Sequence, residues 1–241
     1  MTTLVSGFID RERYDPVKPL HPVEFYLEHG KAFLALDAPK VVFLEPHIIS
    51  LLEPTIRAST NTTVVPFNKE EMEYWPERAR FLRSPSPPGY SPTKDTPDYF
   101  MIILNKVDWC VKAAALNPYS TQMFTWVDFG INYILKDMTL RDAVAHLRSD
   151  HVHPETIRLP GCIHSPPPPV HLAQLVWKYC GGIFCGTAEL LKRMQSDQRT
   201  VVMRLLDAGY ATWEVTVWYY MNAPYHDWYG ANHDSTMFKH F

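Results

Sequence analysis

The chain contains four cysteines, Cys110, Cys162, Cys180 and Cys185, and no two of them form a C-x-x-C pair. That spacing excludes a structural zinc site, and four thiols in 241 residues are too few for a disulfide framework. Free thiols in a reducing compartment are the expected state. No stretch approaches the ~20 apolar residues that a bilayer span needs. The N-terminal run, M-T-T-L-V-S-G-F-I-D-R-E-R, is too short in apolar residues for a secretory signal, and no positive region precedes it. A soluble, cytoplasmic protein is therefore expected, in a cell or in the cytoplasm of an infected host. There is no excess of basic residues: 23 Lys and Arg stand against 26 Asp and Glu, a net charge of -3, which argues against a nucleic-acid partner. No G-x-G-x-x-G follows the first predicted strand and no P-loop occurs, so dinucleotide and Walker-type sites are unsupported. No internal repeat is visible.

What is present is an ordinary globular composition, 46% hydrophobic and 20% charged, long enough for one large α/β domain. Aromatic residues reach 13%, a supply that suits sugar-stacking platforms and a plain core equally well. The most informative stretch is residues 121–131, T-Q-M-F-T-W-V-D-F-G-I. An apolar, β-branched and aromatic run ends abruptly in one carboxylate, Asp128. A buried strand looks like this when it delivers a charge to the edge of a sheet. An unpaired buried charge is costly, so Asp128 needs a partner. A metal ion or a sugar hydroxyl in the crevice at the strand's carboxyl end would serve. An aspartate capping the next turn is the competing account. Gly130 permits close backbone approach or a turn.

Along the chain, residues 3–9, Lys40–Leu44 and residues 62–67 read as strands, separated by helices at 21–34 and 46–52. The Glu- and Arg-rich residues 69–82 read as a solvated helix. Residues 84–97, dense in Pro and Ser, read as a mobile flap. A helix over 98–116 follows, stopped by Asn117-Pro118. After the Asp128 strand come a helix over 140–148, a strand over 156–163 and a Pro-rich connector at 165–169. Residues 172–184 read as extended. Two helices, 187–194 and 199–208, precede Glu214 and an aromatic, polar tail over 225–237. The β-α-β-α-β-α alternation through Asp128 looks Rossmann-like. In such a sheet the loop after the first strand borders the ligand crevice, which makes Ser6, Gly7 and Phe8 candidates for nucleotide contact. Plain strand packing explains them as well.

Taken together, T-L-V-S-G-F-I-D, Asn105-Lys106, Asn117-Pro118-Tyr119, F-T-W-V-D-F-G-I, G-G-I-F-C-G and W-E-V-T resemble the HtrL/YibB-like group of glycosyltransferases. The resemblance runs from about Thr3 to Trp228. It implies a GT-A-like fold: a mixed central sheet with helices on both faces and a Rossmann-like N-terminal half. The implied organisation is one domain over 1–241, with a nucleotide-binding half to about residue 130 and an acceptor-binding half from about 131. The implied activity is transfer of a sugar from a UDP-, GDP- or TDP-linked donor to a glycan acceptor, in surface polysaccharide or glycoprotein glycan synthesis.

The same resemblance implies site roles. GT-A enzymes usually carry D-x-D at the end of a central strand to hold a divalent metal. Here Gly130 stands in place of the second aspartate. Asp128 then holds Mn²⁺ or Mg²⁺ with phosphate oxygens and water, helped by tail groups such as His226, Asp227, His233 or Asp234. Lys106 and Arg80 are candidates to neutralise donor phosphate. Gly181 and Gly182 would face the acceptor, and Trp213, Trp218, Tyr225 and Trp228 are candidates to stack on sugar rings. Glu214 is the implied catalytic base that takes the acceptor's proton in an inverting transfer. Inverting or retaining outcome and oligomeric state stay open. Two other classes compete: a non-catalytic carbohydrate-binding or interaction module on the same fold, and a hydrolase using Asp128 and Glu214 as a carboxylate pair.

Overall fold

The computed structural model describes residues 2–15, 17, 19, 21–84, 90–147, 154–169, 171–239 and 241. Seven strands form one sheet: β1 (Thr2–Phe8), β2 (Lys40–Leu44), β3 (Thr62–Pro66), β4 (Met123–Val127), β5 (Ile157–Gly161), β6 (Ile183–Thr187) and β7 (His226–Gly230). Their order is β3-β2-β1-β4-β6-β5-β7. β1 lies parallel to β2 and β4, and β2 lies parallel to β3. β6 runs antiparallel to both β4 and β5, and β7 runs parallel to β5.

Alternate strand residues point to opposite faces. Val41 and Phe43 of β2 join Trp109 and Phe124 in one core. Val42 and Leu44 join Leu27, Phe33 and Ile48 in the other. The first core is closed by α3 (Arg78–Arg83), α4 (Pro97–Leu104), α5 (Lys106–Leu116), α7 (Ala188–Asp207) and α8 (Glu214–Met221). The second is closed by α1 (Val23–Leu34), α2 (Pro46–Ala58) and α6 (Leu140–Val144). With both faces covered, β2 and β4 are buried at every residue, which is why they read as largely apolar runs, with Lys40 and Thr125 their polar members. The chain leaves β1 outward to β2 and β3, then returns to place β4 on the other flank of β1. That change of direction opens a crevice at the carboxyl ends of β1 and β4.

Several expected boundaries shift. The helix expected over 98–116 is two helices broken at Asn105. The Asn105 amide N–H is shared between the carbonyls of Met101 and Ile102, and its side-chain oxygen accepts from the Glu73 amide at 2.9 Å. Asparagine competes for backbone hydrogen bonds in this way. The two helices expected over 187–208 are one, α7, because Gln198 is satisfied inside the core by the Leu104 carbonyl, the Tyr74 hydroxyl and the Trp218 indole. Residues 69–82 yield two 3₁₀ turns before α3, since Pro76 lacks the amide a longer helix would use. The short helix expected at 46–52 runs on to Ala58 through Pro54. Residues 172–182 are turns rather than extended chain, and the strand begins at Ile183. The aromatic tail contributes β7, a five-residue edge strand whose mixed polarity hid it. Part of the expected flap (85–89) and the end of the helix expected at 140–148 lie outside the described residues; the described helix there is Leu140–Val144.

Candidate active site

Asp128 directly follows β4, and its amide donates to the Gly182 carbonyl at 2.9 Å. Its side chain is 36% exposed and forms part of the floor of the crevice. Trp126, two residues earlier, donates its indole N–H to Asp128 Oδ1 at 2.6 Å. That indole is stacked between Trp109 (5.6 Å) and Phe184 (6.4 Å). The carboxylate is thereby oriented by an aromatic pile that cannot swing.

The main partner of Asp128 is Lys106, the first residue of α5. Its ammonium lies 2.9 Å from Asp128 Oδ1, 2.8 Å from Glu214 Oε1 and 3.0 Å from the Gly181 carbonyl. Three N–H bonds therefore meet three acceptors. Burial alone would lower the Lys106 pKa. The charges of Asp128 and Glu214, with their hydrogen bonds, outweigh that and hold it above the ordinary lysine value. Glu214 opens α8, and its side chain is only 2% exposed. Burial raises its carboxyl above the usual range, and Lys106 draws it only partly back. Its Oε2 is buried with no partner among the described residues.

Gly181 makes this arrangement possible. A Cβ on it would stand 2.2 Å from Glu214 Oε1, so only glycine lets the carboxylate approach the loop. Gly181 thus accommodates Glu214, whereas a Cβ on Gly182 would meet Ile131 and Met237, and neither glycine lines the crevice.

The crevice has a void of about 1020 Å³, counting its open mouth. Gly7 and Phe8 at the end of β1 line it, together with Tyr26, Tyr99, Tyr133, Lys94 and His233. Ser6 is displaced from the expected role: it is buried, and its hydroxyl donates to the Val127 carbonyl at 2.7 Å, clamping β1 to β4. Arg80 lies on α3, paired with Glu77 and Asp207, and does not reach the crevice. Trp213 donates to Asp95 at 2.9 Å, and Trp228 donates to the Lys178 carbonyl at 2.9 Å beside Gly161. Trp218 and Tyr225 are likewise packed inside, bonded to Gln198 and Asp197. None of the four lines the crevice. Glu214 is also shut away behind Lys106. It therefore cannot meet an acceptor hydroxyl in this geometry, and with Asp128 it does not flank a space for a glycosidic bond.

The residues do not fit the expected metal centre. His226 sits on β7 between Tyr179 and Tyr225, away from the crevice, and burial drops its pKa to about 3. Among the described residues no three His, Cys, Asp or Glu side chains converge as a metal cage. The charge of Asp128 is already matched by an ammonium at ion-pair distance, which would also repel a divalent ion bound to the same carboxylate. His233 does line the crevice, and burial lowers its pKa.

Lys94 and the tyrosines Tyr26, Tyr99 and Tyr133 were not among the expected site residues. Lys94 had one legible signal: Thr96-Pro97 is a cap-and-first-turn pair, which fixes position 94 just ahead of a helix.

No family model and no curated protein matches the chain. Among solved structures it is similar to apo mouse xyloside xylosyltransferase 1, with 11% identity and a TM-score of 0.52 over 96% of this chain and 85% of that one. Mannose-1-phosphate geranyltransferase from Thermus thermophilus aligns at 14% identity and TM-score 0.43, over 95% and 73% of the two chains. The 4-diphosphocytidyl-2C-methyl-D-erythritol synthase of Anaerococcus prevotii aligns at 5% and 0.47, over 98% and 88%. The likeness is one of fold: a seven-stranded mixed sheet with helices on both faces, in the Rossmann-like GT-A architecture.

Proposed function

We propose that the chain is a glycosyltransferase that moves a sugar from a nucleoside diphosphate donor to a hydroxyl of a glycan acceptor. The HtrL/YibB-like group is the kinship this reading favours. The observation that carries it is the position of Asp128, an oriented, part-exposed carboxylate at the carboxyl end of β4, on the floor of a crevice at the switch point of the sheet. In the reaction the acceptor oxygen attacks the anomeric carbon, the bond from that carbon to the diphosphate oxygen breaks, and the acceptor loses its proton. Asp128 is the group placed to touch the sugar. It accepts hydrogen bonds from hydroxyls there and is the nearest base for the departing proton. Glu214 acts as a positioning residue, holding Lys106 and through it Asp128.

The test is release of nucleoside diphosphate from UDP-, GDP- and TDP-sugars with mixed glycan acceptors. Asp128→Asn leaves the one-to-one pair of Lys106 and Glu214 intact, so the variant keeps its fold. Its turnover falls by about 10²–10⁴-fold, the range for loss of a general acid–base group. Turnover equal to the native protein would remove Asp128 from the reaction. A second reading, a non-catalytic carbohydrate-binding module, is favoured by the neutralised charge of the single floor carboxylate. It predicts sugar binding without release of nucleotide from any donor.

A further inference from the structure

A nucleoside diphosphate carries negative charge that its site must balance. Among the described residues no three His, Cys, Asp or Glu side chains form a cage for a metal to do so. The rim of the crevice offers another cation. Lys94 lies in the turn between Ser91 and Asp95, half-buried, with its ammonium 4.5 Å from the Trp213 ring centre and 5.8 Å from that of Tyr99. No carboxylate among the described residues pairs with it within ion-pair distance. The neighbouring charges are committed elsewhere. Asp95 accepts from the Ser91 amide at 2.7 Å and from the Trp213 indole at 2.9 Å. Arg11 is paired with Asp15 at 3.0 Å, and Glu12 accepts from the Val23 amide.

The turn is also held from both sides. Arg11 donates to the carbonyl of Lys94 at 3.2 Å, which fastens the turn to the segment after β1. The Trp213–Asp95 bond fastens it to the start of α8. Lys94 is thus a preorganised cation on aromatic faces, facing the same crevice as Asp128. Burial lowers its pKa, so an anion bound beside it would be favoured in turn.

We infer that this site binds the donor diphosphate without a divalent metal, with Lys94 supplying the positive charge that a metal would otherwise supply. The inference rests on the proposed nucleotide-sugar function and adds the way the donor is held.

Calorimetry with UDP, GDP and TDP, each in excess EDTA and then in Mn²⁺, tests it on the full chain. The preferred diphosphate binds in EDTA, and Mn²⁺ leaves its affinity unchanged. Lys94→Gln weakens that binding by about 10–100-fold, as expected for loss of one charge-assisted contact. It leaves the affinity of the matching nucleoside, which lacks phosphate, as it was. Lys94→Arg retains most of the diphosphate affinity, which guards against a Gln variant that merely loosens the turn. Binding seen only with Mn²⁺, or equal binding by Lys94→Gln, overturns the inference and leaves the transferase reading standing. Failure of all three diphosphates to bind under either condition overturns both.

Discussion

Replacing Lys106 with methionine puts the buried network to a quantitative test. The change keeps the volume and removes the charge. Glu214, 2% exposed, then keeps an ionised carboxylate with neither oxygen bonded to a cation, and the Gly181 carbonyl loses its donor. Breaking a buried pair by removing one partner costs about 3–5 kcal/mol. For a chain of this length that corresponds to a melting point lower by about 6–20 °C.

The loss has a pH signature whose sign follows from Glu214. Its pKa is already raised in the folded chain by burial, and Lys106 is the main force pulling it down. Without Lys106 it rises further. A carboxyl whose folded pKa is raised binds its proton more tightly folded than unfolded, so stability falls as pH climbs from the unfolded value through the folded one. The deficit of Lys106→Met is therefore largest in mildly alkaline solution, about pH 8, and shrinks as the pH falls through the raised folded-state value of Glu214 toward the ordinary carboxyl range. Lys106 itself does not confound this. Its pKa is raised, so its contribution is complete below the unfolded lysine value and is lost only in strong alkali, as pH rises through the folded value. Urea unfolding followed by tryptophan fluorescence across that range reads the effect. The double replacement Lys106→Met with Glu214→Leu recovers most of the loss, because an apolar pair of similar size needs no partner. A deficit below about 1 kcal/mol near pH 8, or one that does not change with pH, would refute the account of the network.

Two further outcomes are expected. Gly181→Ala forces a methyl group to within 2.2 Å of Glu214 Oε1 and costs about 1–3 kcal/mol in urea titrations; in a Glu214→Ala background the same change costs clearly less, and equal costs in the two backgrounds would show that the clash is not with that carboxylate. Cys162 is exposed, while Cys110, Cys180 and Cys185 are buried with thiols whose pKa burial raises. A chromogenic disulfide reagent at neutral pH should therefore react quickly at Cys162, with a second reporter released where the Cys180 thiol, 3.2 Å away, displaces the first, and should reach Cys110 and Cys185 only after unfolding; more than two fast thiols per chain would contradict the burial of Cys110 and Cys185.

How much of this was legible in the residues depended on where each residue's partner lay. The strands β2 and β4 announced themselves because burial on both faces leaves runs that are apolar except for Lys40 at the start of β2 and Thr125 within β4, and Asp128 stood out against that run. β7 did not, because an edge strand pairs on one side only and tolerates His226, Asp227 and Gly230. Lys106, Asp128 and Glu214 were each picked out singly, yet their roles came out differently. Residues 22 and 86 positions apart from Asp128 in the chain cannot reveal by spacing that they share one ammonium. With Asp128 taken as unpartnered, a metal was the natural cation to supply. Gly181 was equally ambiguous, since a close approach by sugar and a close approach by the chain's own carboxylate demand the same missing Cβ.

The position of Lys106 shows why its role lies in the site rather than in the helix it begins. A lysine at the first turn faces the positive end of the helix dipole, where a cation is disfavoured. It is also buried, which disfavours it again. Neither local preference nor packing would put a lysine there, so its reason must come from the groups it meets. Those groups arrive from three places: the end of β4, the loop at Gly181 and the start of α8. Without it the Gly181 carbonyl and Glu214 Oε1 would lose this donor, and Asp128 would keep only the Trp126 indole and solvent. The ammonium thus ties the sheet to a helix start and a loop, fixes Asp128 on the floor of the crevice, and is saturated in doing so. A cation with every N–H engaged has none left for a ligand. On the proposed reading, the positive charge offered to a diphosphate would come from the rim, where Lys94 has aromatic faces beneath it and no carboxylate among the described residues at ion-pair distance.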